Sequence, residues 1–545
     1  MHVALFLPLL LVSTLAAPQV PPRDQQAKPR AGTGTIRGRV VRADTGEPLR
    51  RVEVRVDEWS TPNEPGEPAA TLTDADGRYV LPQLPAGRYQ LRASRGGYVD
   101  VAYGQRRPFE RGRPLELGEG VTLHNIDFAL PPGAVVTGRV LDELGEPVPR
   151  VSVSLVRRRY VEGGRRLVYE SGSSTDDRGE FRIFGVAPGD YAIVATFNAG
   201  GRGGRDRLRY VPTYYPGTPV ANHAERVTIG PGQEVAGITI PLARAAAATV
   251  RGVVRRSDNG SFGPFTFVTA REIGGEQPSH HTGTALAGAD GSFALTGLLP
   301  GTYLLEARAT SGTEYASTEV VVDGPDLSGV TLLASRGATG RGRIRFDTGD
   351  LPPGLRPSEI FVAATSAVDT ELDIMRGGPP MVRDDWTFEL QGLRGRGFIR
   401  AGTLGDWQMK RVRREGVDVT DTPLPFTTDI DDLEIELTQR LTTVSGGVSD
   451  GRGGQALDAT VIVFADDPTK WGRHSRFIGA GRPDQTGRFT IRGLPPGRYL
   501  AVAIDYLEPG EERDPDLLEA WRQAGKPFTL AEGETLMLDL NLSPL

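Results

Sequence analysis

Few side chains in this chain have types and spacing that could do chemistry, and each set is tested against the chemistry it would need. One Gly-x-Ser-x-Gly string occurs, Gly447-Val448-Ser449-Asp450-Gly451. A nucleophile elbow sets its Ser between a strand and a helix, with His and carboxylate partners nearby. Here Arg452-Gly453-Gly454 follows, which does not start a helix, so the string reads as strand and turn. Gly200-Gly201-Arg202-Gly203-Gly204 lacks the strand, Lys and helix of a phosphate cradle and reads as a loop. Asp74-Ala75-Asp76-Gly77 offers two carboxylates to a cation, but an EF-hand needs more ligands and a bidentate Glu, so turn formation is expected. Aromatic loops are the better binding candidates, because ring faces beside Arg or Gln donors suit sugars or peptides. They give Tyr103, Gln105 and Arg106 in one loop, Tyr214 and Tyr215 in a second, and Trp471 in a third.

Composition narrows the field further. The 545 residues include no Cys, which removes disulfides, thiol nucleophiles and cysteine zinc sites. Net charge is −6, and only four bases are Lys (Lys28, Lys410, Lys470 and Lys526). Arg suits carboxylate and phosphate recognition, but here the arginines are dispersed among acids with no basic stripe, so nucleic acid is not an expected partner. Gly and Pro make up about a fifth of the chain, as turn-rich β domains require.

The elements that must position these residues recur along the chain. A Gly-x-Val/Ile unit opens five copies, at Gly38, Gly138, Gly252, Gly342 and Gly446, about 100 residues apart. Inside four of the copies a Gly-x-Tyr/Phe turn (Gly77-Arg78-Tyr79, Gly179-Glu180-Phe181, Gly291-Ser292-Phe293, Gly487-Arg488-Phe489) precedes a Gly-x-Tyr turn ten positions on, at Gly87, Gly189, Gly301 and Gly497. Copy four is degenerate, with Asp385-Trp386-Thr387-Phe388 and Gly397-Phe398 keeping neither turn motif. Alternating apolar positions such as Val52, Val54, Val56 and Ile238, Ile240, Leu242 read as strands with one face on a core. About seven short strands per copy predict an antiparallel sandwich. The fold class is therefore all-β: tandem antiparallel β-sandwiches, beads on a string. Domain limits are expected at 33–131, 132–244, 245–335, 336–440 and 441–545. The last carries a short helix over Asp514–Gly525, with Asp514 as N-cap and Leu517, Leu518 and Trp521 facing the sandwich.

The ordered set Gly-x-Val, Gly-Glu-Pro, Val-x-Val, Gly-x-Tyr/Phe and Leu-Pro-x-Gly-x-Tyr resembles the carboxypeptidase regulatory-like domain, most fully in copies one, two and five. The resemblance implies a transthyretin-like sandwich, also grouped with carbohydrate-binding-like folds, and the whole chain is similar to secreted bacterial proteins built from several such modules. In metallocarboxypeptidases the module accompanies a zinc domain that uses His-x-x-Glu. None of the six His here has Glu three residues later, His-Glu-x-x-His is absent, and the modules leave no room for a catalytic domain. Adjacent His280 and His281 cannot share one face of a strand.

Val3–Ala16 is an apolar run ending in small residues, too short to span a membrane, and is expected to be a signal peptide over 1–17 with a flexible leader over 18–32. No later run is long enough for a membrane helix. The expectation is a secreted or periplasmic, non-enzymatic protein without metal or cofactor, acting as a binding or adhesion-type scaffold. The alternatives are a carbohydrate-binding protein presenting glycans to a separate enzyme, and a cell-envelope assembly component with a protein partner.

Overall fold

The computed structural model describes residues 32–60, 69–161, 163–197, 208–256, 266–273, 282–308, 314–352, 355–367, 382–403 and 407–543. The signal segment, the Gly200–Gly204 loop and the His280-His281 pair lie outside the described residues.

The all-β expectation holds, with sandwiches following one another along the chain. Five large apolar cores lie among the described residues, drawing on Ile36–Leu130, Ala134–Leu242, Ala248–Ala334, Ala338–Leu437 and Val444–Leu540. Each forms between two sheets. In one sheet the opening strand is central. Strand Gly34–Arg42 pairs antiparallel with Arg78–Leu84 and parallel with Thr122–Leu123 and Phe128–Leu130. The same arrangement sets Ala134–Leu141 between Glu180–Val186 and Glu234–Pro241, and Ala248–Arg256 between Ser292–Leu298 and Leu327–Ala334. The other sheet is antiparallel, as where Ser152–Val161 lies between Gly164–Ser174 and Gly189–Thr196. The alternating residues point inward as expected: Val52, Val54, Ile240 and Leu437 are fully buried.

Strand periodicity does not register that the closing strand runs parallel to the opening one, and this pairing explains the repeated glycine. A Cβ on Gly38, Gly138, Gly252, Gly342 or Gly446 would lie 1.8–2.2 Å from a carbonyl oxygen of the closing strand (Ile126, Ile238, Val330, Leu433 or Leu538). Only glycine fits where two backbones come this close. In copies two, three and four the register shifts at the glycine, so the extra residue bulges there.

The two turns do separate work. In the first, Asp74 Oδ1 accepts the N–H groups of Asp76 and Arg78 at 2.9 and 2.8 Å, and Asp176 and Asp484 repeat this bond pair. Asp74 is thus a turn residue, as expected. The turn glycine at Gly77, Gly179, Gly291 or Gly487 has a positive φ, and the carbonyls of the first three accept N–H bonds from Val40, Val140 and Val254. In copy four Trp386 takes that left-handed conformation (φ 65°), and its carbonyl accepts Ile344 N–H. The turn therefore persists without the glycine. Trp386 also sets its ring edge-on to Phe346, with centroids 5.0 Å apart. After the second turn, Tyr89, Tyr191, Tyr303 and Tyr499 each donate their hydroxyl to the carbonyl four residues back, at 2.6–3.0 Å. All four are buried, and burial pushes the Tyr303 phenol up to about 12. Copy four has Phe398 here and loses that bond.

Copy four also differs in topology. Strand Gln408–Arg414 pairs with the closing strand Ile430–Thr438, giving sheets of five and three strands.

Tyr191→Phe removes the hydroxyl bond and should cost about 1 kcal/mol. Gly138→Ala forces the closing strand to move and should cost about 1–3 kcal/mol. Hydrogen exchange of the second sandwich in the full chain reads both. Unchanged protection in Gly138→Ala would contradict the close-approach account.

Candidate functional site

In space the string of beads closes. Successive sandwiches touch: Gly133 N–H donates to Gly97 O at 3.0 Å, Arg209 lies against Gly297, the Arg394 guanidinium lies over the Tyr315 ring, and Gln408 Nε2 donates to Gly493 O at 2.5 Å. The fifth sandwich then returns to the first and second. Two segments outside the shared pattern make this contact: the Tyr103–Arg113 loop of copy one and the Tyr506–Asp514 stretch of copy five.

The loop curls round one buried carboxylate. Glu110 Oε2 accepts the N–H groups of Arg106 and Arg107 at 2.9 and 3.2 Å. Arg482 of the fifth sandwich reaches its other oxygen at 3.4 Å, with both side chains almost wholly buried (1% and 2% exposed). Arg482 also donates to the carbonyls of Arg111 and Asp458. Burial holds the Arg482 guanidinium below its usual value, opposed by Glu110 and Asp458. Asp458 collects Arg106 and Arg113 as well, at 2.7 and 2.9 Å. Beside them, the Gln485 side-chain amide exchanges two hydrogen bonds with the backbone of Glu116 (2.8 and 3.0 Å), as a neighbouring strand would.

Three sandwiches meet at Arg157. Its guanidinium carbon lies 3.4 Å from the centroid of Phe109 in copy one, while Nη2 donates to both oxygens of Glu508 in copy five at 2.6 and 2.7 Å. Phe109 has φ 64°, a conformation that a non-glycine residue holds only under constraint from its surroundings. Tyr506 donates to Pro108 O at 3.0 Å, and Arg165 binds Asp514 Oδ2 at 2.9 Å. Asp514 also caps helix Pro515–Trp521 by accepting Asp516 N–H, and Leu518 and Trp521 are buried on the sandwich as expected. One carboxylate thus starts the helix and ties it to copy two.

Next to this junction lies a cleft of about 1030 Å³, walled by the first two sandwiches, with Pro509 of the fifth in its lining. Its lining mixes Arg51, Arg92, Arg95 and Arg111 with Glu53, Asp57, Asp100, Glu110 and Glu170. Asp57 binds Arg92 at 2.8 Å, and burial pushes the Glu170 carboxyl up, against the pull of Arg159. Such an arrangement can bind polar groups of either sign. Among the described residues, no group of three His, Cys, Asp or Glu side chains is placed to hold a metal ion. Ser449 ends strand Thr443–Ser449 with a turn after it, and its hydroxyl donates to Asn541 Oδ1 at 2.6 Å, as the strand-and-turn reading expects.

The six residues expected to bind ligand do not form one site. Gln105 lines the cleft, its amide folding the loop by accepting Ala102 N–H and donating to Arg107 O. Arg106 turns to Asp458. Tyr103 is half-buried, edge-on to Phe128 and beneath Arg113. Two expectations need correction. Tyr214 is fully buried with Val156, Leu167 and Val194, because its short strand pairs with Gly189–Thr196. Trp471 is buried against Phe464, with Nε1 donating to Ala465 O at 2.7 Å. Neither offers a ring face to a ligand. Tyr215 packs half-buried on the second core. Sequence reasoning missed Glu110, Arg157, Arg482 and Glu508. The available signal was the Arg-for-Lys bias combined with insertions peculiar to copies one and five.

Residues 35–131 and 135–242 match the family described as the carboxypeptidase regulatory-like domain. No curated protein matches the chain. Solved structures similar to it include a streptococcal ancillary pilin (15% identity, 55% of this chain and 99% of that one, TM-score 0.21). Two B repeat units of the Staphylococcus aureus collagen binding protein are also similar (12% identity, 74% and 99%, TM-score 0.14). So is the Bacillus anthracis TIE protein (13% identity, TM-score 0.17), matched over 56% of this chain and about half (51%) of its own length. No helix among the described residues is long and apolar enough to cross a membrane.

Arg482→Met leaves Glu110 buried without its partner and should cost about 3–5 kcal/mol at this contact. Exchange in residues 103–113 should rise and small-angle scattering should show a wider particle. The double change Arg482→Met with Glu110→Leu should recover part of the loss. Glu170 gives a pH signature. Its folded value is raised above the ordinary 4.5, so its contribution is present below that value and is lost as pH rises through the folded one. Glu170→Gln should flatten this part of a stability profile measured upward from pH 4.5.

Proposed function

Starting from a tandem, multi-copy arrangement of carboxypeptidase regulatory-like all-β domains, we propose that the chain is an exported, non-enzymatic binding scaffold. Its domains are the segments 33–131, 132–244, 245–335, 336–440 and 441–545, and each of the five cores draws on residues inside these limits. The ligand enters the cleft where the first, second and fifth sandwiches meet. One observation carries this reading: the cleft lies beside the buried Glu110–Arg482 pair and the bidentate Arg157–Glu508 pair, which tie its two sandwiches to the fifth. A cavity whose walls are fixed before binding avoids the ordering cost that weakens mobile sites. The apolar segment Val3–Ala16 supports a secreted or periplasmic location.

A segment of an envelope protein fits the cleft better than a sugar. Its walls present both charge signs, and charged side chains outnumber the aromatic ones there (Tyr98, Phe109, Phe184 and Tyr191), which suits a peptide. Crosslinking of the purified full chain to envelope fractions should capture a protein partner, and Arg51→Glu with Arg95→Glu should abolish capture. Binding on a glycan array, lost in the same variant, would transfer the cleft to the carbohydrate reading. Turnover of peptide or ester substrates by the purified protein would sink the non-enzymatic assignment.

A further inference from the structure

We propose that the contact of the fifth sandwich with the first two is an ionic latch: rising ionic strength releases it, and its release remodels one wall of the cleft. Four arginines of the Tyr103–Arg113 loop, with Arg157 and Arg165 of the second sandwich, each meet a carboxylate of the fifth. One further pair, Arg482 with Glu110, runs the other way. Charge is thus sorted by sign across the contact, with cations mainly on the first two sandwiches and anions on the fifth. Opposed faces of this kind attract each other over a distance, and salt screens the attraction. Apolar packing does not take over from it. Among the described residues, the core of the fifth sandwich draws on no residue of the first two, and theirs draw on none of the fifth.

Closure also carries costs that opening relieves. Among the described residues, the Nε donors of Arg113 and Arg482 are buried without an acceptor, and water satisfies them once the faces part. Phe109 holds φ 64°, which its surroundings must enforce. Arg106, Arg107 and Arg165 are more than half exposed, so theirs are the pairs that salt weakens most. The link to the cleft is the loop itself. Pro108 and Glu110 bind the fifth sandwich through Tyr506 and Arg482, Phe109 carries Arg157 onto Glu508, and all three loop residues line the cleft. Release therefore frees that wall, and by linkage a ligand that needs the closed wall holds the latch shut. This consequence rests on the proposed binding role of the cleft; the opening itself does not.

The test is hydrogen exchange and small-angle scattering of the full chain, without ligand, between about 50 mM and about 1 M NaCl. Exchange in residues 103–113 should quicken by about tenfold or more and the particle should widen, while strand Ala248–Arg256 of the third sandwich keeps its protection. Arg107→Glu should move the opening to lower salt, and adding Asp505→Arg should move it back. Both side chains are about half exposed, so these variants keep the fold. Joining Arg107→Cys to Asp505→Cys with a dimaleimide, in a chain with no other Cys, should abolish the response to salt. Exchange and size that ignore salt, or a double reversal that fails to restore the original midpoint, overturn the latch. Either result leaves the cleft reading standing, since capture of a partner at low salt needs no opening. Failure of capture beside an intact salt response would remove that reading and leave the latch.

Discussion

The structure depends on one close approach: the closing strand of each sandwich lies parallel and hard against its opening strand. The carbonyl oxygen there stands 1.8–2.2 Å from where a side chain would begin. Mid-strand glycine is intrinsically costly, by about 0.5–1 kcal/mol against Ala, so its recurrence at Gly38, Gly138, Gly252, Gly342 and Gly446 reflects this contact. Because the closing strand runs parallel to the opening one, the chain must cross between the sheets before it leaves. It leaves beside the start of the next copy, as the bond from Gly133 to Gly97 illustrates. Packing within one sandwich thereby governs how successive sandwiches meet.

The second level of order is electrostatic. Copies one and five carry insertions that hold the fifth sandwich on the first two through Arg482–Glu110, Arg113–Asp458, Arg157–Glu508 and Arg165–Asp514. Arg suits this work better than Lys, because its planar fork can stack and donate at once. Arg157 does both, over Phe109 and onto Glu508. A buried pair of this kind adds little net stability over apolar packing but strongly penalises a missing partner. The contact therefore specifies one arrangement of sandwiches. The cleft beside it is walled by the two sandwiches that this contact ties to the fifth.

Much of each sandwich was legible in the chain. The period-two strands, the paired turns and the helix after Asp514 stand where their residues indicate, because these features rest on local rules of φ, alternation and capping. Copy four was less legible. Trp386 holds by packing on Phe346 a turn that elsewhere needs glycine, and strand Gln408–Arg414 changes sheets. The candidate site was legible only in part. Tyr103, Gln105 and Arg106 do mark an inserted loop of consequence, but the loop turns to the fifth sandwich. Tyr214 and Trp471 sit in loop-like sequence and are buried, because a two-residue strand and a one-turn helix fold them back onto their cores.

By itself the sequence determined the module, its number of copies and the places where only glycine or a buried tyrosine fits, since those demands act within a few residues or across one repeated pairing. Tertiary structure alone decided which way the closing strand runs and which arginines meet which carboxylates. It also decided that the fifth sandwich returns to the first two. Glu110 and Arg482 are 372 residues apart in the chain, and no periodicity links them. They meet only because five sandwiches joined by short connections turn the chain back on itself.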